Sequence, residues 1–217
     1  MAVTCPWNTG SVYRNYKGFF SIVLMALVDA DYRFLWIYFG SDGSSNDASI
    51  YNGSELKEDL ESPNDIFNIP EEKSLPGDDV PVPYYIVGDN AFEINKHLMN
   101  PFGIRNMEHH ERIFNYRLYR ARRVVENAFG ILAHKFRVLL RTMNQRPETC
   151  RKIITTCVIL HNLISQKYPA THNNLMDVVG PKQNVIRGAW RNDKVLLDVY
   201  HERAGNTGTQ EGRQIRR

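Results

Sequence analysis

Apolar positions gather first in FFSIVLMALV (residues 19–28) and again in YRFLWIYFG (32–40), with Asp29-Ala30-Asp31 between them. A run that is apolar throughout fits a strand covered on both faces. Two such runs across a short polar turn predict an antiparallel hairpin. The glycine- and serine-rich GSDGSSND that follows reads as a loop leading into a short helix, with Asp47 or Ser49 as its cap. Between Glu58 and Pro83 the chain is acidic and holds five prolines, which predicts an exposed loop. PYYIVGDNAF predicts a short strand broken at Gly88-Asp89, and INKHLMNPFG one or two helical turns.

The clearest periodicity runs from about Glu108 to Met143, where Phe114, Leu118, Ala121, Val125, Ala128, Phe129, Leu132, Phe136 and Leu139 repeat at helical spacing. Pro147-Glu148 opens a second helix, apolar on one side, through ETCRKIITTCVILHNLISQKY. Past Pro169 the text turns polar and glycine-rich and predicts a weakly ordered tail over 166–217. Strands followed by helices give an α/β or α+β chain, and no internal repeat is visible.

Composition narrows the class. The 217 residues are 42% hydrophobic and 24% charged, enough for a sizeable core and too apolar for a chain disordered throughout. Mean hydropathy is −0.43, and the longest apolar stretch stops at Asp29. That is well short of the ~20 residues that span a bilayer, so no membrane role is expected. MAVTCPWNTG has no basic segment followed by an apolar one, so no signal peptide is read there. Cys5, Cys150 and Cys157 form no CxxC pair and are expected as free thiols.

The net charge of +3 conceals segregation. Residues 105–152 hold twelve Lys/Arg against four Asp/Glu, whereas residues 40–93 hold thirteen acidic residues against two lysines. A basic segment beside a carboxylate-rich one suggests an anion-binding face next to a cation-binding one. A solvated helix and an acidic loop would give the same arithmetic.

Three carboxylates stand out. Asp89 closes an apolar strand beside a glycine, where α/β folds place metal ligands and also plain turn aspartates. Glu126 lies within the long helix, on one face with Tyr119 and Arg122 at i−7 and i−4, either as part of a site or as a surface ion pair with Arg122. Asp47 is most simply a cap. Carboxylates of this kind can hold Mg²⁺, and two such ions support phosphodiester hydrolysis. Arg117, Arg120, Arg122 and Arg123 would neutralise a DNA backbone.

The ordered succession NYKGFFSIVLMALVDADYRF, GSDGSSNDASIY, VGDNAF, RIFNYRLYRARRVVENAFGILAHKFRVL and CVILHNLI resembles the Harbinger-type DDE transposase superfamily, which includes transposase-derived nucleases. The resemblance spans residues 8–165. It implies an α/β, RNase H-like mixed sheet flanked by helices, and a DDE endonuclease hydrolysing DNA with Mg²⁺ or Mn²⁺. It implies that Asp89 is the second catalytic aspartate and Glu126 the catalytic glutamate, with thirty-six residues between them. Asp47 matches a recurrent aspartate that is either a further metal ligand or a cap. Tyr119, Arg122 and Glu126 resemble the Tyr-Arg-Glu-Lys signature of related transposases, whose lysine position is Ala133 here. Tyr119, Arg122, Arg123 and Lys135 are therefore the expected DNA contacts. The family's first aspartate precedes the Tyr13–Lys17 segment, so the first strand and its carboxylate are expected to be missing from this chain. Asp29 and Asp31, in the hairpin turn, are poor substitutes. The resemblance also implies a Myb-like DNA-binding partner and a nuclear location, with cytoplasm as a second place. The rival expectation is a non-catalytic remnant that binds nucleic acid or protein.

Overall fold

The computed structural model describes residues 1–15, 17–40, 46–62, 66–77, 79–172, 175–180 and 184–192. The loop at 41–45 and the end of the predicted tail, 193–217, lie outside them. The chain forms two compact units, one from Met1–Ser45 and Arg123–His201, the other from Asn46–Arg122 and Glu202–Arg217.

In the first unit the expected hairpin is present: β1 (Val23–Val28) pairs antiparallel with β2 (Phe34–Gly40). Leu24 and Ala26 face Phe39 and Ile37 across the ladder, and this face lies on the core. A bulge at Leu27/Val28 pairs Val28 with Phe34 rather than Leu35. It turns Phe34 into the core at 5% exposure and leaves Leu35 63% exposed. The other face carries Trp36 and Tyr38, stacked with ring centroids 5.9 Å apart. In the turn, Asp29 Oδ1 accepts from the backbone N–H groups of Asp31 and Arg33 at 2.9 Å each, and its other oxygen accepts from Arg33 Nε at 2.8 Å. That arrangement makes Asp29 a turn former.

The long helix α3 runs His109–Lys135, shorter than the periodicity suggested, and a 3₁₀ turn at Arg137–Leu140 follows it. The second helix, α4 (Pro147–Lys167), starts at the expected proline. Ala128 and Leu132 of α3 and Cys150, Ile154 and Val158 of α4 join Ile22 and Phe34 in one buried cluster. The helix α4 also pins the hairpin. Asn162 Oδ1 accepts from the Phe34 N–H and its Nδ2 donates to the Phe34 carbonyl, both at 2.9 Å. His161 Nε2 lies 2.8 Å from the Tyr32 carbonyl oxygen. A carbonyl only accepts, so that nitrogen carries the proton.

The polar segment after Pro169 departs from expectation. Its described part forms a small hairpin, β7 (Val178–Val179) with β8 (Val185–Ile186), and a 3₁₀ turn at Ala189–Asn192. Trp190 is 2% exposed there, so this stretch packs rather than trailing as a weakly ordered tail.

In the second unit, α1 (Asp47–Asn52) and α2 (Glu55–Glu61) precede β3 (Lys73–Ser74), which pairs with β4 (Pro81–Val82). The cap of α1 is Asn46, whose side chain accepts from the Ser49 N–H at 2.7 Å; Asp47 and Ser49 sit inside the helix. Part of the predicted acidic loop is thus helix α2, with Leu56 and Leu60 buried. The predicted strand is β5 (Ile86–Val87). It pairs in parallel with β6 (Leu98–Met99), which lies where helical turns were expected. Leu98 and Met99 are 2% and 0% exposed, and burial with a ladder partner outweighs local preference. Ile94, Met99 and Leu118 form a buried cluster in this unit. Among the described residues the strands make four two-stranded ladders. The mixed α/β class therefore holds.

Candidate active site

Two of the sequence-predicted carboxylates are held by arginines. Asp89 follows β5, where Gly88 donates its N–H to the Met99 carbonyl at 2.8 Å and so extends the ladder by one residue. The Asp89 Oδ1 then accepts from the Ala91 N–H at 2.9 Å, a local turn that turns the chain away from the strand. Its Oδ2 stands 3.9 Å from an Arg122 Nη, and the Asp89 side chain keeps 39% exposure. Arg122 itself is only 18% exposed, its charge directed at Asp89.

Glu126 occupies the other unit. Its partner is not Arg122 at i−4, the ion pair that helical spacing suggests, but Arg191, whose Nη2 lies 3.3 Å from Glu126 Oε2. Arg191 in turn grips Asp177. Its Nε stands 2.9 and 2.8 Å from the two carboxylate oxygens, and Nη2 meets Oδ2 as well. Asp177 Oδ1 also accepts from the Gly188 N–H at 2.8 Å. The Asp177 side chain is 1% exposed, so its charge depends on these donors. The same contact, opposed by burial and aided by Glu126, raises the Arg191 guanidinium above its already high range.

A neutral layer carries this charged triad. Asn127 Oδ1 accepts from the Trp190 indole Nε1 at 2.9 Å and from the Asp177 N–H at 3.1 Å. The Arg191 guanidinium lies 4.3 Å from the Trp190 ring centroid, a cation–π contact. Gly130, one turn beyond Glu126 on α3, leaves the space into which the indole fits. Sequence reading passed over Asp177, Trp190 and Arg191. The signal available was a lone Trp-Arg pair in polar text together with a glycine inside a strongly helical pattern.

Asp47 is half-buried in the first turn of α1, and Tyr119, Arg123 and Lys135 are half-buried along α3. Burial lowers the Lys135 ammonium below its usual range. Asp47 and Asp89 belong to one unit and Glu126 to the other. Among the described residues no three His, Cys, Asp or Glu side chains gather closely enough to hold an ion. Asp89 and Glu126 are each of the donor type that Mg²⁺ and Mn²⁺ take, since these ions bind one or two carboxylates and complete their shell with water and phosphate oxygens. No described helix is long and apolar enough to cross a membrane.

The profile of the DDE superfamily endonucleases matches residues 2–162. The chain is 30% identical over 153 residues to an ALP1-like protein of Arabidopsis thaliana, covering 67% of this chain and 35% of that protein. It is 25% identical over 170 residues to the putative nuclease HARBI1 of Mus musculus, covering 75% of this chain and 43% of that protein. The chain therefore spans less than half the length of these relatives. No solved structure matches it. With the ordered motifs and both carboxylates inside the matched span, the chain belongs to the DDE endonuclease superfamily, in its Harbinger-type branch.

Proposed function

We propose that this chain is the nuclease portion of a transposase-derived, divalent-metal-dependent DNA endonuclease with an RNase H-like core. The observation that carries the reading is the pair Asp89 and Glu126. Both fall within the family match, and each is a carboxylate kept partly open to solvent, at 39% and 24% exposure. They would hold Mg²⁺ or Mn²⁺, with Asp47 as a further ligand. Such an ion supplies an activated water and charge stabilisation for phosphodiester hydrolysis.

The chain's own residues supply the rest. Arg122 stands beside Asp89 and Arg191 beside Glu126, while Tyr119, Arg123 and Lys135 contact the DNA backbone. Arg112, Arg117 and Arg120 are exposed on the same helix, and Arg120 lies 5.8 Å from the Tyr116 ring centroid. Guanidinium groups so placed release counterions when they meet phosphates. Nuclear location and a separate Myb-like DNA-binding partner belong to the same reading.

The deciding experiment is nicking of supercoiled DNA by the purified chain with Mg²⁺ or Mn²⁺. Cleavage is expected to disappear in Glu126→Gln while DNA binding in EDTA persists. Undiminished nicking by that variant would overturn the assignment.

One observation favours a second reading, a nucleic-acid-binding module without catalysis. Asp89 has the Arg122 guanidinium beside it, so its charge is compensated without an ion. That reading predicts salt-sensitive DNA binding and no cleavage at any metal concentration.

A further inference from the structure

We infer that Arg191 is a positioning residue for Glu126, fixed in place by the buried Asp177, an inference resting on the reading of Glu126 as a metal-holding carboxylate. Asp177 is almost wholly removed from solvent, and all its described donors come from the Gly188–Arg191 stretch. Its side-on pairing with Arg191 sets both the position and the plane of the guanidinium. The Nη2 that meets Asp177 is the one that reaches Glu126 Oε2 at 3.3 Å, so the orientation chosen by the buried aspartate passes to the glutamate.

Charge supports the same assignment. Asp177 and Arg191 neutralise one another, so Glu126 is steered by a hydrogen bond without its negative charge being cancelled. Glu126 keeps 24% exposure, which leaves the carboxylate reachable from solvent. The neutral frame makes the device rigid: Asn127, the residue next to Glu126, takes both the Trp190 indole and the Asp177 N–H, and the indole lies under the guanidinium. Partners that orient a metal-holding carboxylate typically contribute 10–100-fold to metal affinity.

The test uses the full chain with Mn²⁺ as the probe, its binding read by electron paramagnetic resonance. Arg191→Lys keeps the charge but has no planar fork to span two carboxylates. It is expected to weaken Mn²⁺ binding about tenfold, with DNA affinity in EDTA unchanged. Asp177→Asn, which keeps Arg191 but removes its anchor, is expected to weaken it similarly. Thermal melts of each variant identify the temperature at which all are folded, and binding is compared there. A double-mutant cycle on Glu126→Gln and Arg191→Lys, read by urea unfolding without metal, is expected to show coupling of about fivefold in the unfolding constant. Unchanged Mn²⁺ binding in Arg191→Lys, with binding lost in Glu126→Gln, would overturn the positioning role and leave the metal reading standing. Unchanged binding in Glu126→Gln would overturn both.

Discussion

Gly130 on α3 lies directly against the Trp190 indole: a Cβ built on it would stand 2.2 Å from Cδ2 and 2.4 Å from Cε3. The indole cannot swing aside freely, because its Nε1 is bonded to Asn127 and the side chain is 2% exposed. Gly130→Ala gains helix propensity but forces the aromatic out of its seat. A net destabilisation of about 1–3 kcal/mol is expected, measurable by urea unfolding, with indole fluorescence shifting toward that of a solvated ring. A stabilised variant would mean that the indole does not occupy this position.

The double hydrogen bond between Asn162 and the Phe34 backbone makes a second prediction. Phe34 follows the turn and sits at the bulge, where the ladder is irregular, so its N–H and carbonyl depend on the Asn162 amide. Asn162→Ala leaves both groups short of a partner in a partly buried place. A loss of about 2–3 kcal/mol is expected. Hydrogen exchange at the Phe34 amide should accelerate more than at Ile37, in mid-strand.

Alkaline pH should expose Tyr51. Burial pushes its hydroxyl up to about 12, partly offset by the Asn95 side chain and reinforced by the charge of Glu61. The folded value lies above the unfolded one, so the folded state holds the proton more tightly. The corresponding stability is fully present below the unfolded value of about 10 and is lost as pH rises through the folded one. Wild type should lose about 2–3 kcal/mol more than Tyr51→Phe over that window. Parallel curves for the two proteins would remove Tyr51 as the source.

DNA binding should respond unequally to arginines on one helix. Arg117 and Arg120 are exposed, whereas Arg122 is 18% exposed and directed at Asp89. In EDTA, replacing Arg117 and Arg120 together by Ala is expected to reduce the slope of log K against log salt by about 2. Arg122→Ala should change it by less than half as much. Fluorescence anisotropy across a salt series distinguishes the cases, and a slope change of about 1 from Arg122→Ala alone would contradict the ion pair.

The thiols give a simple check on packing. Cys5 is exposed, while Cys150 and Cys157 are buried and burial raises both thiols above their usual range. A thiol reagent at neutral pH should label one cysteine in the native protein and three after denaturation. Rapid native labelling of Cys150 or Cys157 would show the α4 core face to be open.

The sequence by itself determined the elements whose physics is local. The hairpin of β1 and β2 follows from two apolar runs around Asp29, whose carboxylate makes the turn by bonding residues two and four positions ahead. The long helix follows from its apolar period, and α4 from Pro147 at its first turn. Asp89 and Glu126 could be singled out from the order of motifs around them. Only the tertiary structure decided what these carboxylates touch. Helical spacing offered Arg122 to Glu126, but Arg122 stands beside Asp89, and Glu126 is met by an arginine sixty-five positions away. Leu98 and Met99 became a strand because Ile86 and Val87 provide a ladder, and the predicted tail packs at Trp190 because Gly130 leaves it room. In each case the energy comes from burial and pairing between distant segments, which no local pattern records.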